Sequence, residues 1–352
     1  MIRSPFPRPA GGRLRAWSEL LRVSALLSVP GDALAGAAAV GVRPGRGTAW
    51  AVGSSLCLYE AGMALNDWAD RHEDAVERPH RPVPSGRVSP GAALGAAGVL
   101  TAAGLALAAR AGRPPLAVAT ALAATVWAYD LRLKHTPAGP AAMATARGLD
   151  LLLGATATAS VPRRGVPGAP GAGGAGGASH RTAAPPPAAS PLAALPSAVV
   201  LAAHTYAVTV VSRHEVQGGS TGAPLGALAA ATVLGAFTAS TRPDPYHQGP
   251  AHPAPYGPGA GRRPASVPRR STAQRVTPLL AAVYVRTAAR PLLHAALNPS
   301  PLLTGRAVGG GIRAMIPLQA ALMSRSGATA GGLALLGLVP LTRRLARKVS
   351  PT

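Results

Sequence analysis

The 352-residue sequence holds one cysteine, Cys57, so no disulfide can form within the chain and the redox compartment is left open. Charge is also scarce. Only 13% of the residues are Asp, Glu, Lys or Arg, against roughly 25% in an average globular protein. A soluble helical protein would show apolar stripes backed by a polar face, and this composition argues against that design. Lysine is almost missing: of 35 basic residues only Lys134 and Lys348 are lysines, and 12 acidic residues leave a formal net charge of +23. That excess does not read as a nucleic-acid surface. The arginines lie in loops and tails between apolar runs, and no RNA-binding or helix-turn-helix signature accompanies them, so no nucleic-acid partner is expected.

What the chain has instead is long Ala/Leu/Val/Gly runs, with 48% of residues hydrophobic. A bilayer core of about 30 Å needs about 20 apolar residues per helix. Runs near 23–42, 49–66, 90–109, 115–130, 140–159, 192–211, 222–240, 277–297 and 327–345 approach that length. The fold class expected is therefore all-α, a polytopic membrane helix bundle of nine transmembrane spans. The stretch 303–323 is ambiguous, because Arg306, Arg313 and Pro317 sit badly against lipid; it reads as a half-helix, an interfacial segment or a tenth span. The organisation expected is a basic cytoplasmic arm over 1–22, a first membrane part over 23–160, a Gly/Pro loop over 161–190, membrane helices over 191–240, a Pro/Arg loop over 241–275, and final membrane helices with a basic tail over 276–352. The two loops cannot bury enough apolar surface to order themselves, and no chemistry is expected in them. The arginines of the N-terminal arm and of the 67–89 and 131–137 loops place those segments in the cytoplasm by the positive-inside rule, in a multi-pass cell-membrane protein. The C-terminal basic tail agrees with that rule only if there is a tenth span.

Chemistry is concentrated in one place. Asp67, Asp70, Glu73, Asp74 and Glu77 fall within eleven positions at the end of the second run. On one continuous helix, positions 67, 70 and 74 project from a single face, with Asn66 one position aside and Glu73 pointing away. Like charges so close need a cation among them. Mg²⁺ takes one or two carboxylates while phosphate oxygens and water complete its octahedron; the competing reading is a solvated cap at a membrane boundary. Glu60, seven residues before Asp67, faces the bundle as an acceptor-side group or as the partner of a buried arginine. Lys134 offers a compact ammonium to a phosphate, or is a flanking charge. Arg147, inside a span, binds diphosphate or pairs with Asp150.

The run Asn66-Asp67-x-x-Asp70-x-x-x-Asp74, followed by Arg78-Pro79-x-Arg81-Pro82-x-Pro84-Ser85-Gly86, resembles the first Asp-rich motif of the UbiA superfamily of intramembrane prenyltransferases. Tyr129-Asp130-x-x-Leu133-Lys134 and Arg147-Gly148 are similar to further elements of that family. The segments Pro30–Gly36, Ser212–Gly219 and Ile316–Ala320 look closer to the EboC-like branch than to quinone-making enzymes. The resemblance implies a helical bundle that transfers an isoprenyl group from a prenyl diphosphate to an unidentified small acceptor, with membrane lipid around it and Mg²⁺ as cofactor. It implies Asp67, Asp70, Asp74 and Glu215 as metal ligands, and Asn66, Arg78, Arg81, Tyr129 and Lys134 on the diphosphate. Lys134, Arg147 and Glu215 are implied in catalysis. The second motif departs from the pattern, with Glu215 its only carboxylate. A UbiA-like terpene cyclase and a non-catalytic isoprenoid-lipid carrier are the alternatives.

The topology is open to a direct check. Cysteines introduced at Ser85 and Ser212 should both react with an impermeant thiol reagent from the cytoplasmic side, and labelling from opposite sides would overturn the arrangement.

Overall fold

Prolines mark where many of this chain's helices begin. Pro30, Pro90, Pro114, Pro140 and Pro301 each stand in a first helical turn, where the missing N–H is one the helix would leave unpaired in any case. At Pro90 the preceding Ser89 also caps the helix, its hydroxyl accepting from the Ala92 N–H at 3.2 Å. A computed structural model describes residues 10–22, 28–160, 190–240, 272–337 and 340. Among the described residues the regular structure is all helical, in two compact units that meet in the chain between Thr209 and Val210.

The first unit contains α1 (Ala10–Leu20), α2 (Val29–Ala39), α3 (Arg46–Ala69), α4 (Arg71–Glu77), α5 (Pro90–Ala111), α6 (Arg113–Ala128), a π-turn (Tyr129–Leu133), α7 (Gly139–Ala159), a 3₁₀ turn (Pro191–Ala194) and most of α8 (Leu195–Ser212). The second unit contains the end of α8, then α9 (Gly222–Ala239), α10 (Thr272–Leu297), α11 (Pro301–Arg325) and α12 (Thr329–Gly337).

Four helical segments are both long and apolar enough to cross a bilayer: Pro90–Ala111, Arg113–Leu133, Pro191–Ser212 and Gly222–Ala239. Helices α3, α7, α10 and α11 run 24, 21, 26 and 25 residues, long enough to span at 1.5 Å per residue, but they carry ionisable side chains. The sequence-based count of nine therefore differs from what length and hydropathy together support among the described residues. Other differences are local. The segment 303–323 lies inside one continuous helix, α11, with Pro317 in its interior. The span expected over 23–42 is described only as the 11-residue α2; residues 23–27 lie outside the described residues. Most of both expected loops, 161–189 and 241–271, also lies outside them. Within the basic N-terminal arm expected over 1–22, residues 10–20 are helical. Ala16 and Leu20, four residues apart, are buried in a cluster with Leu65 and Val83, an apolar stripe that five arginines obscured in the sequence.

The first unit is held by small residues. Gly36 and Gly154 lie where α2 crosses α7: a Cβ on Gly36 would overlap the Leu151 carbonyl, and one on Gly154 would overlap the Ala33 backbone. Without a hydrophobic drive between helices in lipid, such close backbone approach is what gains van der Waals contact. Gly104 plays the same part between α5 and α3, against Leu58 and the Ser54 carbonyl. Buried Thr48 and Thr158 share a hydrogen bond of 2.8 Å between α3 and α7.

Gly154→Ala should lower the unfolding midpoint in detergent, by an amount in the range of about 1–3 kcal/mol seen for overpacked cores. Gly98→Ala in α5, whose Cβ would meet nothing within 4 Å, should be neutral or stabilising. Equal effects of the two would refute the close crossing.

Candidate functional site

The acidic segment is not one helix. Helix α3 ends at Ala69, Asp70 takes φ −83° and ψ 2° at the junction, and α4 restarts at Arg71. The guanidinium of Arg71 folds back over the Trp68 ring, 4.7 Å from its centroid, and donates to the Trp68 carbonyl at 2.9 Å. This break corrects the expectation of a single carboxylate face. Asp67 and Asp74, both buried, converge on Arg81, which lies 3.6 Å from Asp67 and 2.7 Å from Asp74. Arg78 approaches Asp74 at 3.6 Å and Arg22 approaches Asp67 at 3.9 Å. Asp70 turns elsewhere and pairs with Lys134. Glu73, expected to point away, stands with Asp70 and His135, their ligand atoms within 4.8 Å of one another; His135 is 3.8 Å from Glu73.

Lys134 reaches Asp70 because α6 does not stop cleanly. Its last turn widens into a π-turn over Tyr129–Leu133, closed by the Lys134 N–H donating to the Tyr129 carbonyl at 2.9 Å. Such widened turns occur often at functional sites. The same turn buries Asp130, whose carboxylate accepts from the Asn66 side chain at 3.1 Å. The acidic junction and the π-turn, more than sixty residues apart in sequence, are thus tied by two polar contacts.

Behind them lies a cavity of ≈ 270 Å³. Asn66, Tyr129, Asp130 and Arg22 stand in its wall, with Leu58, Met63, Leu122, Val126 and Met143 supplying apolar surface and Arg147 and Asp150 polar groups. Arg147 pairs with Asp32 of α2, 2.5 Å away; the pairing with Asp150 considered from the sequence is not the ion pair formed. The two carboxylates compete for one guanidinium, and Asp32, fully buried, holds it. Glu60 is buried with no hydrogen-bond partner for either oxygen among the described residues, so it is not the partner of a buried arginine.

Glu215 lies in the second unit. Its carboxylate stands against Gly305, where a Cβ would come within 3.1 Å of Oε1. The segment around it is pinned to the α10–α11 turn by the Gly219 N–H donating to the Pro299 carbonyl at 2.7 Å, with Gly218 at φ 67°. Glu215 is the one carboxylate among the described residues of that unit.

Oxygen donors are hard ligands of the kind Mg²⁺ takes, and buried Asp67 Oδ1 accepts no hydrogen bond among the described residues. The donors are of the type such an ion takes, but Asp67 and Asp74 turn to Arg81, and among the described residues the group whose ligand atoms come within 4.8 Å of one another is Asp70, Glu73 and His135. The nearby cations balance the carboxylates in the ion's absence. Sequence reasoning missed Arg22, Asp32, Asp130 and His135. Asp130 and Asp32 both stood inside quoted segments, but the roles of Asp32 and Arg22 depend on contacts 115 and 45 residues away.

A family model described as the UbiA prenyltransferase family matches residues 27–218, more than half of the chain. The chain is 39% identical over 129 residues to a digeranylgeranylglyceryl phosphate synthase of Methanopyrus kandleri, covering 35% of this chain and 46% of that protein. It is 36% identical over 151 residues to one of Ignicoccus hospitalis, covering 43% and 50%. The chain thus spans about half the length of these curated relatives. Among solved structures, a UbiA homologue from Archaeoglobus fulgidus bound to GPP and Mg²⁺ matches with a TM-score of 0.53 at 16% identity, over 89% of this chain and 99% of that one. A structure described for digeranylgeranylglyceryl phosphate synthase matches with a TM-score of 0.52 at 15% identity, over 89% and 98%. At such identities the likeness shows the fold alone.

Arg81→Gln should destabilise the protein by about 3 kcal/mol, the scale of an uncompensated buried charge. Adding Asp74→Asn should recover part of the loss. Thermal unfolding of the single and double variants checks this, and a double variant no more stable than Arg81→Gln would exclude the pairing.

Proposed function

The chain belongs to the UbiA prenyltransferase family, and from that premise we propose that it is an intramembrane, Mg²⁺-dependent prenyltransferase moving an isoprenyl group from a prenyl diphosphate to a small acceptor. The observation that carries this reading is the junction of two environments in the first unit. Asp67, Asp70 and Asp74, interleaved with Arg81 and Lys134, stand beside a cavity with a largely apolar wall. The charged end suits a diphosphate and the apolar end suits the chain attached to it.

Asp67, Asp70 and Asp74 would hold Mg²⁺, which when bound neutralises diphosphate oxygens and so favours their departure. Lys134 and Arg78 would then exchange carboxylate oxygens for phosphate oxygens, with Arg81 held between Asp67 and Asp74 beside them, and Asn66 and Tyr129 would orient the group at the mouth of the cavity. The allylic C–O bond breaks with its electron pair going to diphosphate. The acceptor's nucleophile forms the new bond to that carbon and gives up its proton. Leu58, Leu122 and Val126 keep water from capturing the carbon first. Arg147, fixed by Asp32, supplies a positive charge deeper in the wall for an electron-rich acceptor group. Relatives named digeranylgeranylglyceryl phosphate synthase support including glyceryl phosphates among the acceptors tried. The basic segments that carry these residues support a cytoplasmic site by the positive-inside rule.

The test is Mg²⁺-dependent consumption of labelled geranyl and longer prenyl diphosphates in nanodiscs, with the products mass-analysed. A prenylated adduct is expected. A hydrocarbon or terpene alcohol formed without an acceptor would make the chain a cyclase, and Mg²⁺-dependent binding without turnover would make it a carrier. Asp70→Asn should reduce turnover at least about 100-fold, equivalent to roughly 2.7 kcal/mol of transition-state stabilisation, with folding retained. Glu215→Gln in the same assay tests whether the second unit's carboxylate shares that work.

A further inference from the structure

The second unit has a charge arrangement that the proposed reaction does not use. Helices α10 and α11 contain no acidic residue, and the turn Asn298-Pro299-Ser300 between them adds none. Yet the exposed side chains of Arg290 and His294 of α10, with those of Arg306 and Arg313 of α11, line one open cavity of ≈ 420 Å³ together with Pro291 and Leu303. None of the three arginines forms an ion pair with a carboxylate among the described residues. Both helices pack against α9, which is apolar and long enough to cross a membrane. A cation beside such a helix costs roughly 2.5–3.5 kcal/mol on insertion scales unless something anionic offsets it. Snorkelling from a helix end accounts for Arg306, five residues after Pro301. It does not account for Arg313, twelve residues and about 18 Å along the axis.

The backbone is arranged to admit these side chains. Gly310 lets α11 approach α10 at Pro291, where a Cβ would come within 2.7 Å of the ring. The Arg313 guanidinium lies back over Gly309, 3.2 Å from where a Cβ would stand. Two adjacent glycines thus close the helix crossing at Pro291 and make room for the Arg313 guanidinium. Guanidinium forks match phosphate oxygens in pairs. Three permanent positive charges fit a dianionic phosphomonoester better than a single carboxylate.

We propose that the α10–α11 cavity binds a phosphate group, carried either by a lipid headgroup or by a soluble phosphate ester, through Arg290, Arg306 and Arg313. The site lies wholly in the second unit and stands whether or not the first-unit reaction is as proposed.

The full chain is reconstituted in phosphatidylcholine nanodiscs, and its unfolding midpoint is followed on adding inorganic phosphate or glycerol phosphate at constant ionic strength. A parallel set of discs contains phosphatidic acid. At about a hundredfold excess over Kd the midpoint should rise by roughly 3 °C or more. The rise should vanish in Arg306→Gln/Arg313→Gln and persist in Arg275→Gln, whose side chain is outside the cavity. A rise with soluble phosphates identifies an ester site, and a rise with phosphatidic acid alone identifies a headgroup site; either supports the proposal. No rise in the wild type with any probe overturns it, as does an equal rise in the double variant. Should the double variant fail to fold, Arg290→Gln takes its place with the same expectations.

Discussion

Three carboxylates at the boundary of an apolar interior can exist only if cations stand among them, and this constraint shapes the first unit. Asp67 and Asp74 are buried, and the charge of each is offset by guanidinium groups from the following loop and from the end of α1. Removing those charges from water is costly, and the attraction repays it only where geometry is good and further hydrogen bonds complete the shell. The loop after α4 is therefore more than a connector. Its Arg81 bridges two carboxylates, while Val83 and Val88 join the cluster under α1. Charge pairing and apolar burial fix the same segment from two sides.

That arrangement depends in turn on close helix packing. Asp70 meets Lys134, and Asn66 meets Asp130, only because α3 and the end of α6 run side by side. Gly62, whose Cβ would come within 3.0 Å of Val126, permits it. Alanine and glycine at such crossings contribute little apolar area each, but they let backbones approach and hold ion pairs at fixed spacing. The Arg147–Asp32 pair extends the pattern, since it joins α2 and α7, the helices that cross closely at Gly36 and Gly154.

How much of this could be read beforehand follows from what each signal requires. The helical class and the acidic segment were legible, because run length and charge density are local properties of sequence. Most helices lie within a few residues of their apolar runs. Helix α1 was not legible: its apolar stripe of Ala16 and Leu20 covers little more than one turn and is set among arginines. The break at Asp70 was not legible either. A spacing of three and four residues implies one face only on an uninterrupted helix, and the sequence Trp68-Ala69-Asp70-Arg71 contains no proline or glycine to announce a stop. Arg147's choice of Asp32 over Asp150 was hidden for another reason. The nearer residue in sequence is not the one the α2–α7 crossing presents to the guanidinium.

Lys134 shows how composition and geometry combine. In a chain whose basic residues are almost all arginine, lysine stands at the one described position that meets the junction carboxylate, Asp70. An arginine there would form a flat, two-pronged pair with the carboxylate, a geometry that resists exchange. A lysine presents a compact ammonium on a flexible stem, which can pass between a carboxylate and a phosphate oxygen with little change in backbone. Arg81 has the opposite task, bridging two buried carboxylates that would otherwise repel, and the planar fork suits it. Under the proposed function the division of labour between the two cations follows from their shapes: Arg81 fixes the acidic segment in place, and Lys134 is the one that would leave it for phosphate oxygens.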